Sequence, residues 1–265
     1  MLVLIRGAGD LASGIACRLY RSGMQVAMTE LKHPTTVRCT VAFSPAVYLS
    51  EAAVEGITAR RATDTREAFT LLKQGVIPVL VTEKPPLCEL RPDAFVDAVI
   101  AKRNLGTSMT DAPIVVGVGP GFTAGADCHA AVETRRGHDL GRVLYTGSPA
   151  PNTGVPGNIG GYTVERLLRA PCDGVFLPVV KIGDRVEAGE RVAAVAGLPV
   201  LSAVSGVVRG LLPEGTPVHK GMKSGDVDPR GERDYCFTVS DKANAVAGGV
   251  LEAILACRKE MLCLE

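Results

Sequence analysis

Four apolar residues, Leu2-Val-Leu-Ile5, run directly into the turn Gly7-Ala-Gly-Asp-Leu-Ala-Ser-Gly14, after which Ile15, Leu19 and Tyr20 keep helical spacing. Strand, glycine turn and helix in this order are the opening of a Rossmann-type dinucleotide-binding unit. Gly7 lets the chain turn sharply, and Gly9 lets backbone approach a pyrophosphate. Ala12 fills the third slot, where a small residue allows close packing of helix on strand, and Gly14 completes the turn. The helix N-terminus then offers unpaired N–H groups to phosphate. Gly23 ends the helix, Gln25 to Thr29 reads as the second strand, and Glu30 stands at its tip, about twenty residues after the turn. A carboxylate there accepts ribose hydroxyls and disfavours a 2′-phosphate, so the expected cofactor is NAD or a related dinucleotide. The same glycines also serve plain structural crossovers, and Asp10 reads as a helix N-cap rather than a catalytic group.

Gly56 to Arg61 reads as a strand, Thr65 to Gln74 as a helix, Ile77 to Thr82 as a strand, Asp93 to Arg103 as a helix and Ile114 to Gly117 as a strand. Alternating elements predict a parallel sheet. The glycine-rich run Gly117-Val-Gly-Pro-Gly-Phe-Thr-Ala-Gly125 suits a backbone nest for an anion, with Gly119, Gly121 and Thr123 as its contact residues. No Lys-Ser or Lys-Thr pair follows, so it is not a Walker A loop. Asp127, Cys128, His129, Glu133, Arg135, Arg136 and His138 crowd in behind it. Cys128, His129, Arg135 and His138 are the candidate catalytic side chains, because thiol, imidazole and guanidinium are the groups that nucleophilic and acid–base chemistry uses. Against that stand a hydrogen-bonded structural histidine and a solvated arginine pair.

Asp173-Gly-Val-Phe176, Gly183-Asp-Arg-Val186 and Gly189 recur as Ser205-Gly-Val-Val208, Gly215-Thr-Pro-Val218 and Gly221, at a constant offset of 32 residues. Two interlocking β-hairpin units with buried valines are expected, and they resemble the barrel-sandwich hybrid of biotinyl and lipoyl carriers. Such carriers present a modifiable lysine between the halves. Here that turn is Ala196-Gly-Leu-Pro-Val-Leu-Ser202, without one. Lys220, Lys223 and Gly225-Asp-Val-Asp-Pro-Arg-Gly231 are polar enough for a surface site, although Asp226 and Asp228 are too few carboxylates to claim a cation. Ala245 to Cys257 reads as a closing helix. The expected division is therefore a Rossmann-like nucleotide-binding domain over residues 1–165, a barrel-sandwich β module over 166–240, and a helix over 241–265 packing back on the first domain. The fold class is α/β with a small all-β module.

Formal net charge is +1 from 29 basic and 28 acidic residues, which gives no pull toward nucleic acid or an anionic bilayer. No run reaches membrane-spanning length, and a cytoplasmic location is expected. The eight cysteines show no metal-ligand spacing, and no metal site is expected.

With Gly7-Ala-Gly-Asp-Leu-Ala-Ser-Gly14, Val116-Gly-Val-Gly-Pro-Gly-Phe-Thr-Ala-Gly125, Glu133-Thr-Arg-Arg-Gly-His-Asp-Leu-Gly141, Asn152-Thr-Gly-Val-Pro-Gly157 and Lys223-Ser-Gly-Asp-Val-Asp-Pro-Arg230 in order, the chain resembles the YqeB family of selenium-dependent molybdenum hydroxylase system proteins. The resemblance implies an accessory role in maturing such hydroxylases, a molybdopterin or selenium species as ligand, and the hydroxylase or another maturation protein as partner. It supplies no catalytic residues, and whether the chain is an enzyme stays open. A free-standing NAD-dependent oxidoreductase is the alternative.

Overall fold

The computed structural model describes residues 1–263, so the last two positions of the expected 241–265 segment lie outside it. Two compact units emerge. The first takes Met1–Pro34, Ala42–Thr153 and the chain from Val239 onward, and the second takes Thr35–Val41 and Gly154–Thr238.

The first unit is built on nine strands: β1 (Leu2–Arg6), β2 (Gln25–Glu30), β3 (Glu51–Val54), β4 (Ile57–Ala62), β5 (Ile77–Val81), β6 (Ala94–Asp97), β7 (Ile114–Val118), β8 (Ala130–Val132) and β9 (Val143–Leu144). Five helices accompany them: α1 (Asp10–Arg21), α2 (Ala46–Leu49), α3 (Thr65–Lys73), α4 (Leu87–Leu90) and α5 (Asp241–Leu262). The strands form one sheet in the order β3-β4-β5-β2-β1-β6-β7-β8-β9. β4 through β8 of that order run parallel, while β3 and β9 join antiparallel at its two edges. Val3, Ile5 and Met28 on one face meet α1 and α5. Leu4, Phe95 and Val115 on the other meet Ala68 and Leu71 of α3.

This architecture corrects the expected Rossmann-like parallel sheet. The sheet is mixed, and the crossovers from β6 to β7 and from β7 to β8 carry no helix. Where a helix is expected over 93–103, Ala94–Asp97 form the strand β6, whose four residues are all buried, and 98–103 are irregular. A strand buried on both faces loses its polar–apolar alternation, and its short apolar run then cannot be told from a helical one by period.

The cover over β7 and β8 comes instead from the end of the chain, where α5 lies against α1, β7, β8 and β9. Small residues make the approach possible. A Cβ on Gly14 would stand 2.8 Å from the Ala243 Cβ, and one on Gly141 would stand 2.5 Å from the Ala245 oxygen. Adjacent glycines of α5 give a direct test. A Cβ on Gly249 would overlap the Gly141 carbonyl oxygen, whereas one on Gly248 meets nothing within 4 Å. Gly249→Ala is therefore expected to lose about 1–3 kcal/mol by overpacking. Gly248→Ala is expected to gain about 0.5–1 kcal/mol by relieving helix-interior glycine entropy. Denaturant unfolding of the pair reads the contrast, and equal effects would mean that α5 does not seat here.

The second unit holds β10 (Leu167–Arg169), β11 (Gly174–Pro178), β12 (Arg185–Val186), β13 (Arg191–Val195), β14 (Leu198–Leu201), β15 (Gly206–Leu211), β16 (Pro217–Val218) and β17 (Lys223–Asp228). They form two antiparallel sheets, β10-β17-β15-β12 and β14-β13-β11-β16, around Leu168, Phe176, Val195 and Val208. The copies of the repeat do not make separate hairpins. β11 pairs with β16, and β12 with β15, so each copy is completed by the other. The expected barrel-sandwich, carrier-like module is thus corrected to a pair of four-stranded sheets. β10, which lies before the repeat, and β17, which follows it, supply half of one sheet. No helix among the described residues is long and apolar enough to cross a membrane.

Candidate functional site

In an open sheet with parallel strands, ligands are received outside the carboxyl ends, where neighbouring connections diverge. Here that place is the β1/β6 boundary, since the chain leaves β1 toward β2 and returns on the other side. The residues expected to meet a ligand there are largely engaged by the chain itself. A Cβ on Gly7, where φ is +97°, would stand 3.2 Å from the Ala98 oxygen. One on Gly121, where φ is +107°, would stand 2.5 Å from the Arg103 backbone, and one on Gly119 would stand 2.9 Å from Thr134 Oγ1. Each of these glycines admits a segment of its own unit.

Glu30 is engaged in the same way. Its Oε2 accepts the Ala8 N–H at 2.9 Å and its Oε1 the Leu31 N–H at 2.7 Å, so the carboxylate closes the glycine turn onto β2. Ala12 is buried and Gly14 lies under α5. Gly9 is the N-cap of α1 and has no side chain with which to cap it. Thr123 donates its N–H to Asp127 at 2.9 Å and shares a 2.9 Å hydroxyl contact with Ser148.

The catalytic candidates separate. Cys128 is buried, and burial pushes its thiol up to about 11, the reverse of what a nucleophile needs. His129 accepts the Val115 N–H on Nδ1 at 3.0 Å while its backbone N–H donates to the Val115 oxygen at 2.9 Å, so both main chain and imidazole tie the start of β8 to β7. Arg135 and His138 are exposed. The neighbouring Glu133 is the clamp of the region. Its Oε1 accepts Thr134 and Arg135 N–H at 2.7 and 2.6 Å, and its Oε2 accepts Ala150 N–H at 2.7 Å.

One candidate side chain is absent from the sequence reading. Lys242 sits in the first turn of α5 and is half-buried. Burial first, and then the Arg136 charge, lower its pKa, while the carboxylates of Asp10, Glu133 and Asp241 oppose them. Asp10 opens α1, and Arg136 holds Asp241 through two bonds of 2.6 and 2.9 Å. Lys242 itself makes no hydrogen bond or ion pair among the described residues. A half-buried ammonium in the first turn of α5, with nearby carboxylates but no hydrogen bond or ion pair made to them, is a candidate anion anchor. The sequence signal was only Ser240-Asp-Lys242 at a helix start, where the lysine looks like surface. Among the described residues no group of three His, Cys, Asp or Glu is placed to hold a metal.

No model of a known protein family matches the sequence. Among curated proteins, it is 52% identical over 258 residues to the uncharacterized protein YqeB of Escherichia coli strain K12, across 96% of this chain and 47% of that one. The chain is a homologue of YqeB. It spans about half of the length of YqeB, and the matched stretch takes in both units. Solved structures offer less. An aspartoacylase family protein from Mesorhizobium loti is 11% identical, covering 85% of this chain and 84% of that chain at a TM-score of 0.28. A succinylglutamate desuccinylase/aspartoacylase from Rhodobacter sphaeroides is 17% identical, covering 85% of each chain at 0.27. TM-scores this low carry no argument. The mixed sheet, with antiparallel strands at both edges, replaces the Rossmann nucleotide-binding description, and none of these comparisons attaches a selenium or molybdenum role to the chain.

Proposed function

We propose that the first unit is a binding module for a small anionic ligand, anchored by Lys242 between the starts of α1 and α5. The supporting observation is the half-buried ammonium of Lys242, which makes no hydrogen bond or ion pair among the described residues, in the first turn of α5 and within electrostatic reach of Asp10 at the start of α1. The buried Cys128 thiol and the backbone-bonded His129 favour binding over chemistry, and thus favour this reading over an NAD-dependent oxidoreductase. The resemblance to YqeB family proteins suggests the setting: an accessory to a selenium-dependent molybdenum hydroxylase, with an anionic cofactor of the molybdopterin kind as cargo.

The test is native mass spectrometry of protein purified gently from its own host. Wild-type chain is expected to carry an anionic adduct that Lys242→Met loses by tenfold or more, about the worth of one hydrogen-bonded charge. Equal adduct on both proteins removes Lys242 from the site. Deletion of the gene tests the setting separately, because a fully active hydroxylase in that strain removes the accessory role and leaves the binding site standing.

A further inference from the structure

The second unit buries a polar face that the reading above does not use. Along β17, Val227 joins the core, so alternation puts Ser224, Asp226 and Asp228 on the opposite face, and all three are buried. Asp226 accepts from Arg166 at 2.9 Å and Arg209 at 2.8 Å, with the Lys223 ammonium at 3.9 Å. Asp228 accepts from Arg209 at 3.2 Å and Arg230 at 2.7 Å. Cys236 in turn feels the charges of both Arg209 and Arg38.

Guanidiniums therefore outnumber the carboxylates they hold, and a buried pair of charges already costs more desolvation than apolar packing would. Two donors add to this. The Arg166 side chain is 6% exposed, yet its Nε has no hydrogen-bond partner, and the fully buried Ser224 hydroxyl has none either. A buried donor left without an acceptor costs about 1–3 kcal/mol. Arg209 also keeps N–H groups beyond its three bonds, since a guanidinium carries five.

We infer that this face binds a small oxyanion, a phosphate or phosphoryl group, held by Arg166, Arg209 and Arg230 with the Ser224 hydroxyl as a neutral donor. Asp226 takes the Nε/Nη2 fork of Arg209 and Asp228 that of Arg230, which fixes both guanidinium planes and leaves single Nη N–H groups, with Arg166 Nε and the Ser224 hydroxyl, as the donors for the oxyanion. The site is independent of Lys242.

Calorimetric titration of the whole chain with inorganic phosphate, against chloride at equal ionic strength, tests it. One saturable site is expected, weakened about threefold to tenfold in Ser224→Ala and at least tenfold in Arg230→Gln, whose side chain is exposed enough for the variant to fold. A parallel titration with glycerol phosphate separates the sources. Tighter binding of the free ion names phosphate as ligand, and tighter binding of the ester names a phosphoryl group on a larger molecule. No saturable binding overturns the site, as does binding that survives both substitutions or is lost instead in Lys242→Met.

Discussion

Asp226→Asn should lower the unfolding free energy of the second unit by about 3–5 kcal/mol, the usual result of removing one partner from a buried ion pair. The carboxylate is 2% exposed and is held by Arg166 and Arg209 at once. Asparagine keeps the shape and loses the charge, so two guanidiniums stay buried with less to offset them. Arg230→Ala removes a partner whose side chain is 43% exposed, and solvent screening should hold its effect near or below 1 kcal/mol. The same network sets an acid limit. Burial raises the Asp226 and Asp228 carboxyls, but Arg209 with Lys223 and Arg166 at one, and Arg230 with Arg209 at the other, bring both below the ordinary value. A folded pKa below the unfolded one contributes stability that is present above the unfolded value, about 3.9, and is lost as pH falls through the folded value. Wild-type stability should therefore fall away below about pH 4, and Asp226→Asn should flatten that fall. An asparagine variant as stable as wild type would mean that water already screens the pair.

Legibility from sequence divides along physical lines. β1, the turn, α1 and β2 were readable because each signal is local: an apolar run, a glycine with positive φ at Gly7, helical spacing, and Gly23 at the helix end. The partners of those glycines were not. Gly14 faces Ala243 across 229 positions and Gly121 faces Arg103, and close approach to ligand and close approach to chain require the same missing Cβ. The repeat announced buried valines and interlocking units, but not which strands pair between the copies, since pairing is a long-range choice. Lys242 was invisible for a similar reason. Its environment is assembled from Asp10, Glu133 and Arg136, more than a hundred positions upstream. Asp226 and Asp228 looked like weak cation ligands because an alternating Asp-x-Asp does not show what faces it, which here is arginine.

The misread segment 93–103 supplies the sharpest contrast between the two readings. As a helix, Phe95 and Val99 would stand one turn apart on a common buried stripe, and trimming either would cost core contacts. In the structure Phe95 lies in β6 between β1 and β7, 1% exposed and packed with Leu4, Leu71 and Leu80, while Val99 lies beyond the strand at 39% exposure. Phe95→Ala should then cost about 3–5 kcal/mol through lost transfer energy and the cavity left in a central strand. Val99→Ala should stay within about 0.5 kcal/mol, as a surface change does. The chain has no tryptophan, so far-ultraviolet circular dichroism along a urea series is the suitable signal. Comparable losses at both positions would restore the helix and remove β6 from the sheet. With β6 gone, the β1/β6 boundary would no longer exist as the place where the connections diverge.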